Sequence, residues 1–269
     1  MIHSIYKKLS NLFYGTGISK IPLVRKTHLK VTELTKPETI DIFGFKMYLD
    51  EKDDACHSIT TDKETSELKL LKKIIKKGDY VVDIGANIGY YTLFFASLVG
   101  PTGKVFAFEP EPKNFSILKK NIENNLLDNV TIYQKAVGSK NKNIKMKISD
   151  SIGFHHISDH GDLDVDCIRL DDHIQNVNFI KIDAEGYEVE ILKGMSSLLQ
   201  RNVTIMSEFH YKLLQKYNPP SEFFKILGDA GFNFLDMRKE LSNTDQNNML
   251  KNYSETSNAT DILCTKNNS

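Results

Sequence analysis

Tyr80-Val-Val-Asp-Ile-Gly-Ala-Asn-Ile-Gly89 is an apolar run interrupted by one acid and followed by a turn with two glycines four positions apart. A short apolar run closed by a glycine turn reads as a buried strand. Helical texture resumes over residues 90–99, so the turn joins a strand to a helix. Gly85 and Gly89 lack a Cβ and let the backbone pass close to a ligand. In open α/β sheets ligands sit beyond the carboxyl ends of the strands, and this turn, with Asp83, Ala86 and Asn87, falls there.

Outward from the turn the pattern repeats. Residues 104–108 form a second apolar strand that ends in Phe108-Glu109-Pro110, and 113–125 are helical. An acid at the end of the second strand, about 20 residues past the glycine turn, can accept hydrogen bonds from both ribose hydroxyls of a nucleoside cofactor. The glycine spacing separates the candidate cofactors. A dinucleotide fingerprint, GxGxxG, packs pyrophosphate on a helix N-terminus. Here the spacing is Gly-x-x-x-Gly with Asp83 ahead of it. A carboxylate there repels phosphate and suits a ligand with an ammonium and a sulfonium, which favours S-adenosylmethionine over NAD.

Strands are further expected at 130–133, 179–183, 203–207, 232–237 and 261–265, with helices at 188–200 and 221–230. This alternation predicts a mostly parallel sheet with helices on both faces. Two closing strands without a helix between them predict an antiparallel edge. Before the sheet, 40–43 and 45–49 flank Gly44 as in a hairpin, and 64–77 are helical up to Gly78. The chain therefore divides into an N-terminal extension, residues 1–77, and an α/β domain, residues 78–269.

With Asp83–Gly89, Phe108-Glu109-Pro110, Lys135-Ala136-Val137-Gly138, Leu170-Asp171-Asp172 and Ile180-Lys181-Ile182-Asp183-Ala184-Glu185-Gly186 in order, residues 78–210 resemble the FkbM-like methyltransferases. The resemblance implies the class I methyltransferase fold, a Rossmann-like sheet of seven strands with the last one antiparallel. It implies methyl transfer from S-adenosylmethionine to a hydroxyl oxygen of sugars, glycolipids or polyketides. By matched position Asp83, Gly85 and Asn87 border the methionine part of the cofactor, Glu109 holds the ribose, and Ala136 and Val137 border the adenine. Ala184 and Tyr187 stand where the family often has Val and a small residue, which leaves the acceptor class open.

An alcohol is a poor nucleophile, so the site needs a base or an acidifying metal. The candidates are Asp183 and Glu185 after one strand and Glu208 and His210 after the next. In one reading Asp183 and Glu208, with Glu185, hold Mg²⁺ through oxygen ligands. In the other, His210 or a carboxylate is the direct base. Glu185 and Glu188 also suit the first turn of a helix, where acids are stabilised. His155, His156 and His160 lie in a segment, 149–161, expected to be an acceptor loop. Residues 242–260 are expected to be a lid or a connection.

Lys plus Arg and Asp plus Glu each count 35, so no broad basic face for nucleic acid is expected. Three scattered cysteines, Cys56, Cys167 and Cys264, read as reduced, in a cytoplasmic setting. No apolar run reaches membrane-spanning length. Residues 1–30 carry six basic residues and no acid, interleaved with Ile2, Ile5, Tyr6, Leu9, Leu12 and Phe13. They read either as a helix packed on the domain or as a surface helix resting on anionic lipid. The chain is thus expected to methylate a sugar or glycolipid hydroxyl, with a small secondary metabolite as the alternative acceptor and a non-catalytic cofactor-binding subunit as the alternative class.

Overall fold

The structure, a computed structural model, describes residues 24, 37–50, 65–148, 155–158, 160–238, 245–256 and 258–266. The basic segment 1–30 apart from Val24, and residues 149–154 of the histidine-containing segment, lie outside the described residues. The chain forms two compact units, Met1–Lys63 and Glu64–Ser269. In the first, β1 (Thr39–Ile42) and β2 (Phe45–Tyr48) pair antiparallel around Phe43 and Gly44. Both turn residues have positive φ, 54° and 85°, the geometry that matches the twist of a two-residue hairpin.

The second unit begins with α1 (Ser66–Ile74), capped by the Thr65 hydroxyl. This helix, assigned from sequence to the end of the extension, falls within the unit that carries the large sheet. There follow β3 (Tyr80–Ile84), α2 (Tyr90–Val99), β4 (Lys104–Phe108), α3 (Pro112–Asn124), β5 (Val130–Tyr133), β6 (Ala136–Val137), β7 (Lys142–Lys147), β8 (His156–Ile157) and β9 (Leu163–Ile168). The chain continues through β10 (Phe179–Ile182), α4 (Glu188–Lys193), β11 (Thr204–Phe209), α5 (Tyr211–Leu214), α6 (Pro220–Asp229), β12 (Phe232–Asp236), α7 (Gln246–Ser254) and β13 (Thr260–Lys266).

Seven strands form one sheet in the order β12-β13-β11-β10-β3-β4-β5. Every pairing is parallel except those of β13, which runs antiparallel to both neighbours. This is the class I methyltransferase sheet. β3 and β10 are central and almost wholly buried, which is why they read as continuous apolar runs rather than alternating ones. Val82, Ile84, Ile180, Ile182 and Ile205 face a core completed by Val189, Ile191 and Leu192 around α4 and by Phe223, Phe224 and Leu227 of α6. The pairing Lys181↔Asp83 puts these two on the opposite face, the face on which Asp83 meets Thr92 of α2.

A second, four-stranded sheet in the order β6-β9-β7-β8 was not expected from sequence. Its inner face is Ala136, Ile144, Met146, Val165 and Cys167. Its outer face carries the ion pairs Lys135–Asp166, Lys145–Asp164 and Lys147–Asp162. The helix expected over 188–200 is instead α4 followed by a short 3-10 turn, Leu198–Gln200.

Candidate active site

A cleft opens beyond the carboxyl ends of β3, β4 and β10, with β6 and β8 forming its far wall. Ile84, Phe108, Val137, Tyr187 and Ile191 give it apolar sides, and Glu109, Asn87, Asp183 and Glu185 bring polar groups into it. A concave, mostly apolar site with a few converging polar groups is the usual form of a small-molecule site.

The turn after β3 is held by backbone. Gly85 and Ala86 donate N–H bonds to Phe108 O, each at 3.0 Å, and Asp183 N–H bonds Ile84 O at 3.0 Å. Gly85, Asn87 and Gly89 all have positive φ. At Gly85 a Cβ would lie 1.8 Å from the carbonyl oxygen of Asp183. The glycine is therefore needed for close packing of two strand ends. Gly89 caps α2, and Ala86 is buried.

Glu109 is nearly buried and lines the cleft. Its Oε2 accepts the Asn87 N–H at 2.8 Å and its Oε1 the Glu111 N–H at 2.9 Å. Each oxygen keeps a lone pair for a further donor. Burial pushes its carboxyl up to about 7, with the two backbone N–H bonds acting against that. Ala136 and Val137 line the same cleft from β6. Two ribose hydroxyls and a flat apolar base suit this set of groups, so the residues fit S-adenosylmethionine. Asp83 is not on the cleft surface. Its carboxylate is fully buried, accepts the Thr92 hydroxyl at 2.7 Å and faces Lys181. Burial pushes this carboxyl up, and Lys181 and Thr92 pull the other way.

At the other end, Asp183 lines the cleft and accepts a hydrogen bond from Lys181 Nζ at 3.2 Å. Glu185 also lines it, with φ 52°. Burial, with Asp183 and Glu188 nearby, pushes the Glu185 carboxyl up to about 8. Glu188 explains the turn. Its buried Oε1 accepts the N–H groups of Ala184 and Gly186, each at 3.1 Å, clamping the backbone before and after Glu185. Its Oε2 is buried and has no hydrogen-bond partner among the described residues. Burial, before the charge of Asp183, pushes Glu188 up to about 7 despite those bonds.

Glu208 and His210 are not on the cleft wall. Glu208 sits opposite Asp261 in the β11–β13 ladder. Burial and then Asp183, Glu188, Glu185 and Asp261 push it up to about 9. His210 caps α5 with Nδ1, which accepts the Leu213 N–H at 3.3 Å. Burial, with Lys216 and Lys212, holds its imidazole below the ordinary range. Of the two residues expected to hold Mg²⁺, Asp183 lines the cleft and Glu208 does not. Among the described residues no three His, Cys, Asp or Glu side chains gather as metal ligands, and the Lys181 ammonium already occupies the cationic position beside Asp183.

His155 and His156 reach the cleft from β8 and the residue before it, with Ile157. The Tyr217 hydroxyl bonds the Ile157 carbonyl, and its ring meets Tyr187 edge-on at 5.6 Å. Lys181 and Glu188 are the residues whose placement the sequence did not reveal. The available signal for Lys181 was a lysine inside an otherwise apolar strand, Phe179–Ile182. Among the described residues no helix is long and apolar enough to cross a membrane.

The family described as the methyltransferase FkbM domain matches residues 83–248. The hexuronic acid methyltransferase AglP of Haloferax volcanii is 28% identical over 174 residues, covering 62% of this chain and 69% of that protein. Methyltransferase 1 of Beauveria bassiana is 26% identical over 145 residues, 43% of this chain and 58% of that protein. Among solved structures, the precorrin-6y C5,15-methyltransferase of Geobacter metallireducens superposes with a TM-score of 0.47 at 15% identity, covering 84% of this chain and 97% of the other.

Proposed function

The chain belongs to the FkbM methyltransferase family, and from that membership we propose that it transfers the methyl group of S-adenosylmethionine to a hydroxyl oxygen of a neutral sugar or glycolipid. The observation that carries this reading is the pairing, in one cleft, of Glu109 at one end with Asp183 and Glu185 at the other. The cofactor supplies a methyl group on a sulfonium, an electrophile that needs no activation by the protein. Glu109 accepts hydrogen bonds from the ribose hydroxyls. Ala136 and Val137 shield the adenine from water. Asp183 accepts the hydrogen bond of the acceptor hydroxyl and orients its oxygen. Glu185, its carboxyl pushed up to about 8 by burial, takes the acceptor's proton as the methyl group passes from sulfur to oxygen.

A sugar acceptor is suggested by the named substrate class of the Haloferax relative. The charge of this cleft speaks for a hydroxyl rather than a carboxylate. An anionic acceptor group would have to approach Asp183 and Glu185 together, whereas a neutral hydroxyl gains from both.

The test is to incubate the protein with methyl-labelled cofactor and p-nitrophenyl hexosides, hexuronides and simple phenols, and to locate the label by mass spectrometry. Label on a ring hydroxyl of a hexoside is expected. Label confined to the hexuronide carboxyl would overturn the hydroxyl reading, and label confined to phenols would replace the sugar with a small metabolite. Tight binding of S-adenosylhomocysteine with no transfer to any probe or to a host glycan extract would point to a non-catalytic subunit.

A further inference from the structure

Lys181 lies inside a strand whose residues are all buried, where an ammonium persists only with partners. β10 pairs with β3 in the register Lys181↔Asp83, so the two side chains are neighbours on one face of the sheet. Asp183, two residues on, falls on the same face. Lys181 Nζ is 3.7 Å from Asp83 Oδ1, 3.2 Å from Asp183 Oδ2 and 4.8 Å from the centre of the Tyr91 ring. The three groups form a line from core to cleft. The side chains of Asp83 and Lys181 are 0% and 4% exposed, and that of Asp183 is 41% exposed.

If Lys181 served only to neutralise Asp83, its ammonium would lie closest to that carboxylate. It lies closer to Asp183, and the bond to Asp183 is a hydrogen bond, whereas Asp83 Oδ1 has no hydrogen-bond partner among the described residues. Tyr91, which stacks on the ammonium, is fixed in turn by its hydroxyl bond to Glu67 of α1. Thr92 holds the other oxygen of Asp83. Burial works against the charge on Lys181, but Asp183 and Asp83 outweigh it and keep the ammonium protonated.

We infer that Lys181 is a positioning residue: backed by Asp83 and Tyr91, its ammonium fixes the carboxylate of Asp183 on the cleft wall, where it orients the acceptor. The inference rests on the proposed role of Asp183 in methyl transfer. It ties the strand that leads into the glycine turn to the acceptor end of the cleft through one side chain.

The variant Lys181→Met leaves Asp83 buried without a counter-charge and would report misfolding as well as function. The test therefore uses full-length Asp83→Asn protein as its background, with Lys181→Met, Asp183→Asn and both added to it. In denaturant unfolding, the two added changes are expected to be non-additive by threefold or more in the unfolding constant, the mark of a direct contact. Any smaller departure from additivity overturns the inference. In the same background, Lys181→Met is expected to lower kcat on the hexoside probe at least tenfold while S-adenosylhomocysteine affinity, by calorimetry, stays within threefold. Unchanged kcat with weakened S-adenosylhomocysteine binding would assign Lys181 to the cofactor side and overturn it. If unaltered protein transfers to no glycoside, the sugar reading fails, and the unfolding cycle still decides whether Lys181 holds Asp183.

Discussion

Glu185 sits in a left-handed conformation, φ 52°, that costs a residue with a Cβ about 1–3 kcal/mol. Glu188 offsets that cost through its two bonds to the flanking backbone, and the result is a carboxyl held on the cleft wall. Because burial pushes Glu185 up to about 8 and it must be ionised to accept a proton, kcat/KM for the acceptor at saturating cofactor is expected to rise about tenfold per pH unit below 8 and then level. Burial, then Asp183 and Glu188, push the carboxyl up, and Lys216 and Lys181 pull it down. In Glu185→Gln the limb should vanish along with most of the rate; a limb that survives would remove Glu185 as the base. Glu109 gives an independent test at the other end. Removing a hydrogen-bonding charged group costs about 1.5–3 kcal/mol, so Glu109→Ala should weaken S-adenosylhomocysteine binding about 10- to 100-fold at pH 8 by calorimetry. Since burial raises Glu109 to about 7 and ribose donors need the carboxylate, unaltered protein should bind about tenfold more weakly at pH 6 than at pH 8. Affinity that ignores both changes would show that Glu109 does not hold the ribose. The places of Glu109 and Asp183 on the cleft were legible in the sequence because each follows an apolar strand. Lys181 was not, since its partner Asp83 is set by the register of β3 against β10, a pairing nearly a hundred residues apart in sequence.

At the scale of elements, the turn after β3 is the piece most tightly specified. Gly85→Ala would force a Cβ to within 1.8 Å of the Asp183 carbonyl at a φ of 77°, which L residues rarely adopt. The left-handed backbone alone costs about 1–3 kcal/mol, and the clash adds to it because backbone rather than a flexible side chain stands in the way. Gly85→Ala should therefore unfold at clearly lower denaturant concentration and lose S-adenosylhomocysteine binding. Unaltered stability would mean the two strand ends separate freely. The strand–turn–helix units were readable because their periodicity is local. The four-stranded sheet was not, although Lys142–Lys147 and Leu163–Ile168 both alternate charge with apolar residues. Each strand offers few inward apolar side chains, and the outward lysines and aspartates look solvated until cross-strand pairing joins them. Similarly α7 falls between the two closing strands, where no helix is expected from sequence, in a polar stretch that buries Met249 and Tyr253. Tyr253 is anchored by its hydroxyl bond to Asp236 of β12, a contact that no local pattern announces.

Over the whole molecule the 35 basic and 35 acidic residues cancel, and that balance hides a local excess made by the fold. Glu109, Glu185, Glu188, Glu208 and Asp261 are all raised by burial before any neighbouring charge, to about 7, 8, 7, 9 and 6. Asp261 and Glu208 face each other across β13 and β11, so the antiparallel strand carries one of the acids into place. Each of these groups binds its proton more tightly folded than unfolded, where glutamate and aspartate ionise at about 4.5 and 3.8. Between those values and the raised ones, the folded state holds more protons than the unfolded state, and stability falls as pH rises. Their contribution is complete near pH 4 and declines above it, each group's share being fully lost once its folded value is passed, at about 6 for Asp261 and about 9 for Glu208. The ligand-free protein is therefore expected to melt at lower temperature at pH 9 than at pH 5.5, with most of the decline above pH 6. Glu208→Gln removes the group raised furthest, so it should flatten the upper part of that decline and raise Tm at pH 8.5 by about 2–4 °C for each kcal/mol recovered. Thermal melts of the two proteins across this range check the argument. A Tm that climbs from pH 5.5 to 9, or a Glu208→Gln protein that melts lower than its parent at pH 8.5, would mean that the carboxylates at this end of the sheet are stabilised by partners, and that burial does not govern them.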